Sequence, residues 1–404
     1  MTTSYPAISV RIPGILFVSG GPVEGELELN YRALQDDNIQ EVHVKLRGFA
    51  KTEIRRGNNS TNRKRVQLVR VDASLWTRGS AYPPPGSDII RIPFCLQLPA
   101  GLPPSFQYNS RQKKGSVMYS FTAVGVRPGA FQFNRRIRQP LAVVQKDDVG
   151  MSVREQLTAL ASAGAEQSWK IQTREEKIRR GLWGDYATVN VLWSMPNVSP
   201  LPLFVPIPFI IKIRTTTAPH TRAKADAHPP DKPIFPAPPS AYSMLDFKLR
   251  QKVYLRARGF TERPSTDVNV FTPGPGFTVD TDIAENEWLW AEGEDIGAKT
   301  PEAKGIWKQR TTFRGTLTLA CPPTFSLEKT IGCEYFLSLK VPFPGLGNDV
   351  KMNMPIIISS GLNAPVMKDQ PRSESSAAPA APNVLDLPPS YWDANNGEWD
   401  DHKD

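Results

Sequence analysis

Few side chains in this sequence are placed to make or break bonds. The four histidines, His43, His220, His228 and His402, are scattered: one in a strand-like run, two in a proline-rich stretch, one near the end. The three cysteines, Cys95, Cys321 and Cys333, show no metal-ligand spacing among themselves or with those histidines. Neither a metal site nor a nucleophile–base pair is expected from them. Gly20-Gly21 and Gly274-Pro275-Gly276 read as turns, not as phosphate cradles between a strand and a helix. Glu292 and Glu294 read as ordinary surface. The expectation is no enzyme, no metal and no cofactor.

Recognition chemistry is concentrated in two stretches. Leu387-Pro388-Pro389-Ser390-Tyr391 is a PPxY element with a preceding leucine. Its prolines hold the backbone near polyproline II at little entropic cost, and an aromatic groove of the WW-domain kind takes such a ridge. Tyr391 supplies a ring to insert and a hydroxyl to hydrogen-bond. The same four residues also arise by chance in a chain rich in proline. Pro238-Pro239-Ser240-Ala241-Tyr242 has one residue too many to be a second copy. The other stretch is basic: Arg55, Arg56, Arg63, Lys64 and Arg65 flank a polar Gly-Asn-Asn-Ser-Thr-Asn segment. It reads as a hairpin tip that meets an anionic surface or a phosphorylated partner, or as a merely solvated tip. No aromatic residue interleaves it, so no nucleic-acid partner is expected.

These stretches need a scaffold, and its pattern is β. Ile92, Phe94, Leu96 and Leu98 alternate onto one face; so do Val117, Tyr119, Phe121 and Ala123. Period two over that length argues for half-buried strands, and two such strands need a second layer to cover their apolar faces. Val42, Val44 and Leu46 alternate in the same way, and Gly48 marks a bulge or a close backbone approach. Further strand-like runs are Ile8–Val18, Glu24–Tyr31, Tyr186–Trp193, Phe209–Arg214, Trp307–Leu319, Phe336–Phe343 and Val350–Ile358, while phase breaks within Phe247–Phe260. With 39 prolines in 404 residues, an all-β chain with irregular edges fits better than a helical one.

That length holds more than one core. Residues 1–145 form a first unit and 182–361 a second. The segment 146–181 reads as a linker. It holds a short helix, with Ser152 and Glu155 at capping-box spacing, Val153, Leu157 and Leu160 on one face, and an end before Gly164. Residues 215–242 read as a disordered insertion, 264–295 as irregular, and 362–404 as a disordered tail. The three sparse cysteines suit buried thiols in a reducing compartment. No signal peptide is visible, and Leu201–Ile213 is too short and proline-broken to span a bilayer. A cytoplasmic protein is therefore expected, with the sequons at Asn58, Asn59 and Asn197 unmodified. The net charge of +9 favours a membrane surface or an acidic partner, or is only a basic solvated surface.

Phe94-Cys95-Leu96-Gln97-Leu98-Pro99, Leu102-Pro103-Pro104-Ser105-Phe106 and Gly115-Ser116-Val117-Met118-Tyr119-Ser120-Phe121-Thr122-Ala123 form a strand, a proline-phenylalanine loop and an aromatic strand. Together with Val42–Gly48, Ile331–Val341 and Pro355–Ile358, they resemble the arrestin-like proteins, in particular the α-arrestin or arrestin-related trafficking adaptor branch, over residues 8–361. The resemblance implies two tandem arrestin-type immunoglobulin-like β-sandwiches. It implies an adaptor that binds cytosolic segments of membrane transporters or receptors. Through Leu387, Pro388, Pro389 and Tyr391 it would recruit the WW domains of a NEDD4-type HECT ubiquitin ligase, so that the client is ubiquitinated and endocytosed at the plasma membrane or endosomes. The alternative is an arrestin-fold sorting scaffold of the retromer kind without ligase recruitment. The segments 146–181 and 215–242 depart from the family's pattern.

Overall fold

The alternation around Ile90–Val124 resolves into two facing sheets. A computed structural model describes residues 6–57, 60–129, 132–163, 168–228, 233–272, 274, 277–290, 304–364 and 366–367. The first unit runs β1 (Ile8–Arg11), β2 (Ile15–Val18), β3 (Pro22–Asn30), α1 (Tyr31–Asp36), β4 (Glu41–Arg56), β5 (Ser60–Thr77), β6 (Ile89–Gln97), β7 (Phe106–Asn109), β8 (Lys113–Val126) and β9 (Arg135–Val144). One sheet has the order β1-β3-β6; the other places β2, β9, β8, β4 and β5 side by side, with β7 on β8. The expected strand at Ile8–Val18 is two strands, because the chain crosses from one sheet to the other through Ile12-Pro13-Gly14. Across the gap Phe94 of β6 stacks on Phe121 of β8 at 4.5 Å. The alternating face thus buries against the second layer it requires. Gly48 meets both expectations. The register shifts between Gly48 and Phe49, and a Cβ there would lie 2.5 Å from the Tyr119 ring. That ring is fully buried, and its hydroxyl donates to the Pro103 carbonyl at 2.7 Å.

The second unit follows as α2 (Asp148–Ala163), β10 (Trp169–Arg179), β11 (Tyr186–Pro196), β12 (Leu201–Pro202), β13 (Pro206–Thr216), β14 (His220–Thr221), α3 (Arg222–Asp226), β15 (Asp246–Ala257), β16 (Phe260–Glu262), β17 (Ser265–Val270), β18 (Phe277–Trp290), β19 (Lys304–Thr318), β20 (Phe325–Leu327), β21 (Ile331–Val341), β22 (Val350–Ile356), β23 (Ile358–Ser359) and β24 (Val366–Met367). β10, β11, β13, β19, β14 and β18 form one six-stranded sheet; β16, β17, β15, β21, β20 and β22 form the other. Phe247 of β15 meets Trp193 of β11 at 5.3 Å and Phe209 of β13 at 5.4 Å, which marks the core between them. The phase break in β15 is Gln251, which takes a core position at 7 % exposure. Its Nε2 donates to the Tyr335 hydroxyl at 3.1 Å and faces Cys333 Sγ at 3.2 Å. β24 returns to the first unit and pairs antiparallel with β2.

Several expectations need correction. The charged run after α2 is not linker but β10, paired with β11 from Trp169↔Pro196 to Arg179↔Tyr186. It lies at the sheet edge and buries only Ile178, so it shows no apolar alternation. The helix α2 starts four residues ahead of Ser152. Asp147 caps it, accepting from the Gly150 N–H at 2.8 Å, while the Ser152 hydroxyl donates to the Asp148 carbonyl. The described part of 215–242 is packed, not disordered. Gln309 Nε2 donates to the Ile234 and Pro236 carbonyls, and Tyr242 is buried with its hydroxyl on the Phe271 carbonyl. Prolines remove donors there, so one side chain satisfies what the backbone cannot pair. Residues 264–295 hold β17 and the long β18. Finally, Cys95 is exposed, since it sits on the outward face of β6 between Phe94 and Leu96, whereas Cys321 and Cys333 are buried.

Candidate interaction surface

The basic stretch is the distal half of one long hairpin, β4–β5, paired from Glu41↔Thr77 to Arg56↔Ser60. Its tip, Asn58 and Asn59, lies outside the described residues. The hairpin is organised on Glu53, whose side chain is 5 % exposed. Arg55 Nε donates to Glu53 Oε1 at 3.0 Å, and Arg63 Nε to Oε2 at 2.9 Å. Burial pushes the Glu53 carboxyl up, but the hydrogen bonds and charges of Arg63 and Arg55 outweigh it and hold it below the usual carboxylate range. Arg65 lies over the Phe49 ring at 4.3 Å.

The other face of the same hairpin meets the second unit. Arg56 stacks on Phe260 at 4.3 Å. Lys64 Nζ donates to Thr330 Oγ1 at 2.7 Å, and Thr52 Oγ1 donates to the Arg256 carbonyl at 2.7 Å. Lys113 at the start of β8 pairs with Glu262 at 2.7 Å. Apolar contact continues the seam: Phe106 meets Phe325 at 5.2 Å, and the missing side chain of Gly115 admits Leu255 and Ile331. The buried apolar residues of both units form one continuous cluster. All five basic residues named from sequence are therefore engaged. Arg55 and Arg63 keep half or more of their side chains exposed, at 50 % and 63 %.

A second joint lies at the N-terminus of α2. Asp147 Oδ2 accepts from the Gly361 N–H at 2.9 Å, and the Asp147 N–H donates to the Leu362 carbonyl at 2.9 Å. About two turns on, Arg154 donates to the carbonyls of Leu203, Ser360 and Gly361 at 2.8–3.2 Å. Burial lowers the Arg154 pKa, with Asp147 opposing it. Nothing in the sequence flagged Arg154 or Glu53. The one available signal for Glu53 is its place as the lone carboxylate among five basic residues.

The remaining chemistry-bearing residues stay apart. Among the described residues, no group of three or more His, Cys, Asp or Glu side chains could hold a metal. His43 lies on β4, where burial and then Lys45 lower its pKa; His220 lies on β14, lowered by burial and then Lys224. Burial pushes the Cys333 thiol up to about 12. A cavity of about 400 Å³ is lined by Asp36, Asp37 and Arg135. The hydrogen bond from Arg135 holds the Asp37 carboxyl low, so the pair is an ion pair and no proton donor at neutral pH. No helix is long and apolar enough to cross a membrane among the described residues. Leu387, Pro388, Pro389 and Tyr391 lie outside the described residues, as does the expected disordered tail from 368 onward; its start at 362–367 is corrected, because the Leu362 carbonyl accepts from the Asp147 N–H and β24 pairs with β2.

Compared with known proteins, residues 10–150 match the family described as Arrestin (or S-antigen), N-terminal domain. No curated protein matches the chain.

Proposed function

From the match of residues 10–150 to the arrestin N-terminal domain, we propose that this protein is a non-catalytic, α-arrestin-type trafficking adaptor. The two pairs of facing sheets are read as tandem arrestin-type sandwiches. They recognise a cytosolic segment of a membrane transporter or receptor. Leu387, Pro388, Pro389 and Tyr391 recruit the WW domains of a NEDD4-type HECT ubiquitin ligase. One chain then holds client and ligase together and raises the effective concentration of one for the other. Recruitment is peripheral, to the plasma membrane or endosomes. The exposed guanidinium faces of Arg55 and Arg63 supply weak attraction to anionic lipid beside their work on Glu53.

The observation that carries the reading is the PPxY element downstream of an arrestin N-terminal domain in one chain. Calorimetric titration of the full chain with the WW domains of a NEDD4-type ligase tests it. Saturable binding is expected for the native chain and loss for Tyr391→Ala. Equal titration of both, or none by either, refutes ligase recruitment through this element and leaves the sorting-scaffold reading.

A further inference from the structure

The most unusual surface of the second unit is the edge strand β18. β19 pairs along one side of it, from Phe277↔Leu317 to Trp290↔Gly305. No strand pairs with its other side among the described residues. Gly274 takes the backbone N–H and C=O of Phe277 at its start, and the rest of this fourteen-residue strand offers a row of backbone donors and acceptors to an incoming extended segment.

Its side chains say what that segment is. The register places Asp280, Asp282 and Glu287 on one face, opposite Arg314, Thr312 and Lys308 of β19. In a chain of net charge +9, β18 carries Asp280, Asp282, Glu285 and Glu287 and no lysine or arginine. Arg314 and Lys308 reach Asp282 and Glu287 only at 3.8 and 3.4 Å. Charge therefore alternates from β19 to β18, and a strand added outside β18 completes the alternation when it is basic.

The opposite face ends in an aromatic box. Trp288 meets Trp307, its cross-strand partner, at 5.3 Å and Trp290 at 5.8 Å, both edge to face. Gly305 has no side chain to hold the Trp288 ring off the sheet. The box already takes a cation from within the chain. The Arg222 guanidinium of α3 lies 5.2 Å from the Trp288 ring and 6.0 Å from Trp307, while pairing with Asp226. Trp290 remains 39 % exposed.

We infer that the free edge of β18 binds an extended, arginine-bearing segment of a partner polypeptide by strand addition, with alternate basic side chains on Asp280, Asp282 and Glu287 and one guanidinium at the Trp288–Trp290 box. The alternation matters: an added strand points successive side chains to opposite faces. Cytosolic segments of membrane proteins carry an excess of lysine and arginine. The source of the segment thus rests on the adaptor reading; the site does not.

The test is fluorescence anisotropy of a labelled ten-residue peptide alternating arginine and threonine, with one terminal threonine replaced by arginine so that a single guanidinium points to the tryptophan face, titrated with the full chain. Saturable binding is expected, weakened at least tenfold by Asp280→Lys with Asp282→Lys, and several-fold by Trp290→Ala. The same peptide N-methylated at alternate amides should also lose at least tenfold, because methylation removes the strand hydrogen bonds and leaves the charge. Equal binding by the N-methylated peptide, or by the double lysine variant, overturns the inference. Its failure beside a successful WW-domain titration removes this site and leaves the adaptor reading standing.

Discussion

Removing the two arginines that bracket Glu53 should damage the hairpin more than removing Glu53 itself. Glu53 is buried, while Arg55 and Arg63 are half or more exposed. In Glu53→Ala the arginines turn to water, so the loss is two charge-assisted hydrogen bonds discounted for exposure, about 1–2 kcal/mol. In the Arg55→Ala, Arg63→Ala double variant the carboxylate stays buried with neither cation, and breaking a buried pair in that direction costs about 3–5 kcal/mol. The assay is hydrogen exchange at the amides of 51–56 and 60–66, where every 1.4 kcal/mol of local opening is about tenfold in rate. Glu53→Ala should exchange about ten times faster than the parent at pH 7, and the double variant at least a hundred times faster. The triple variant should recover part of that loss. The pH dependence carries a definite sign. The folded Glu53 pKa lies below its unfolded value, so the contribution is fully present above the ordinary glutamate range and is lost as pH falls through the folded value. A double variant no worse than Glu53→Ala would refute the reasoning.

The seam and the second joint can be tested in the same way. Phe325→Ala removes the ring facing Phe106 and should lower stability by about 3–5 kcal/mol, read as a fall in the midpoint of thermal unfolding. Arg154→Met keeps the stem of the side chain but orphans the carbonyls of Leu203, Ser360 and Gly361. A loss of about 2–4 kcal/mol is expected, with faster proteolysis near 359–364; unchanged cleavage would count against the joint. A thiol reagent at neutral pH should label Cys95 promptly and leave Cys321 and Cys333 untouched until denaturant is added, since burial shields both and raises their pKa values. Rapid labelling of three thiols in the native protein would contradict that burial.

What could be read from the sequence was whatever repeats locally. Period-two alternation located β4, β6 and β8, because strand geometry imposes it wherever one face is buried. The Gly48 bulge was legible because glycine is the residue that lets Tyr119 approach. That Phe94 and Phe121 meet from opposite sheets is a tertiary fact that alternation alone does not decide. β10 and β18 were not legible. An edge strand buries too little to impose a pattern, and its charges read as linker or loop. Nor could proline-rich composition reveal that 233–242 is held down by Gln309 and by the burial of Tyr242.

Interaction partners across the chain were the other gap. Five basic residues close together look like one solvated tip, and only the fold sends two of them to Glu53, one each to Phe260 and Thr330, and one to Phe49. Arg154 and Trp288 with Arg222 follow the same logic. Their partners lie far along the chain or on a neighbouring strand, and charge or aromaticity in a sequence carries no direction. Alternation, turn residues and the PPxY spelling are local properties, and these the amino-acid order settled. Which charges face water and which hold the two units together depends on long-range packing, and that was settled only when the sheets were folded against one another.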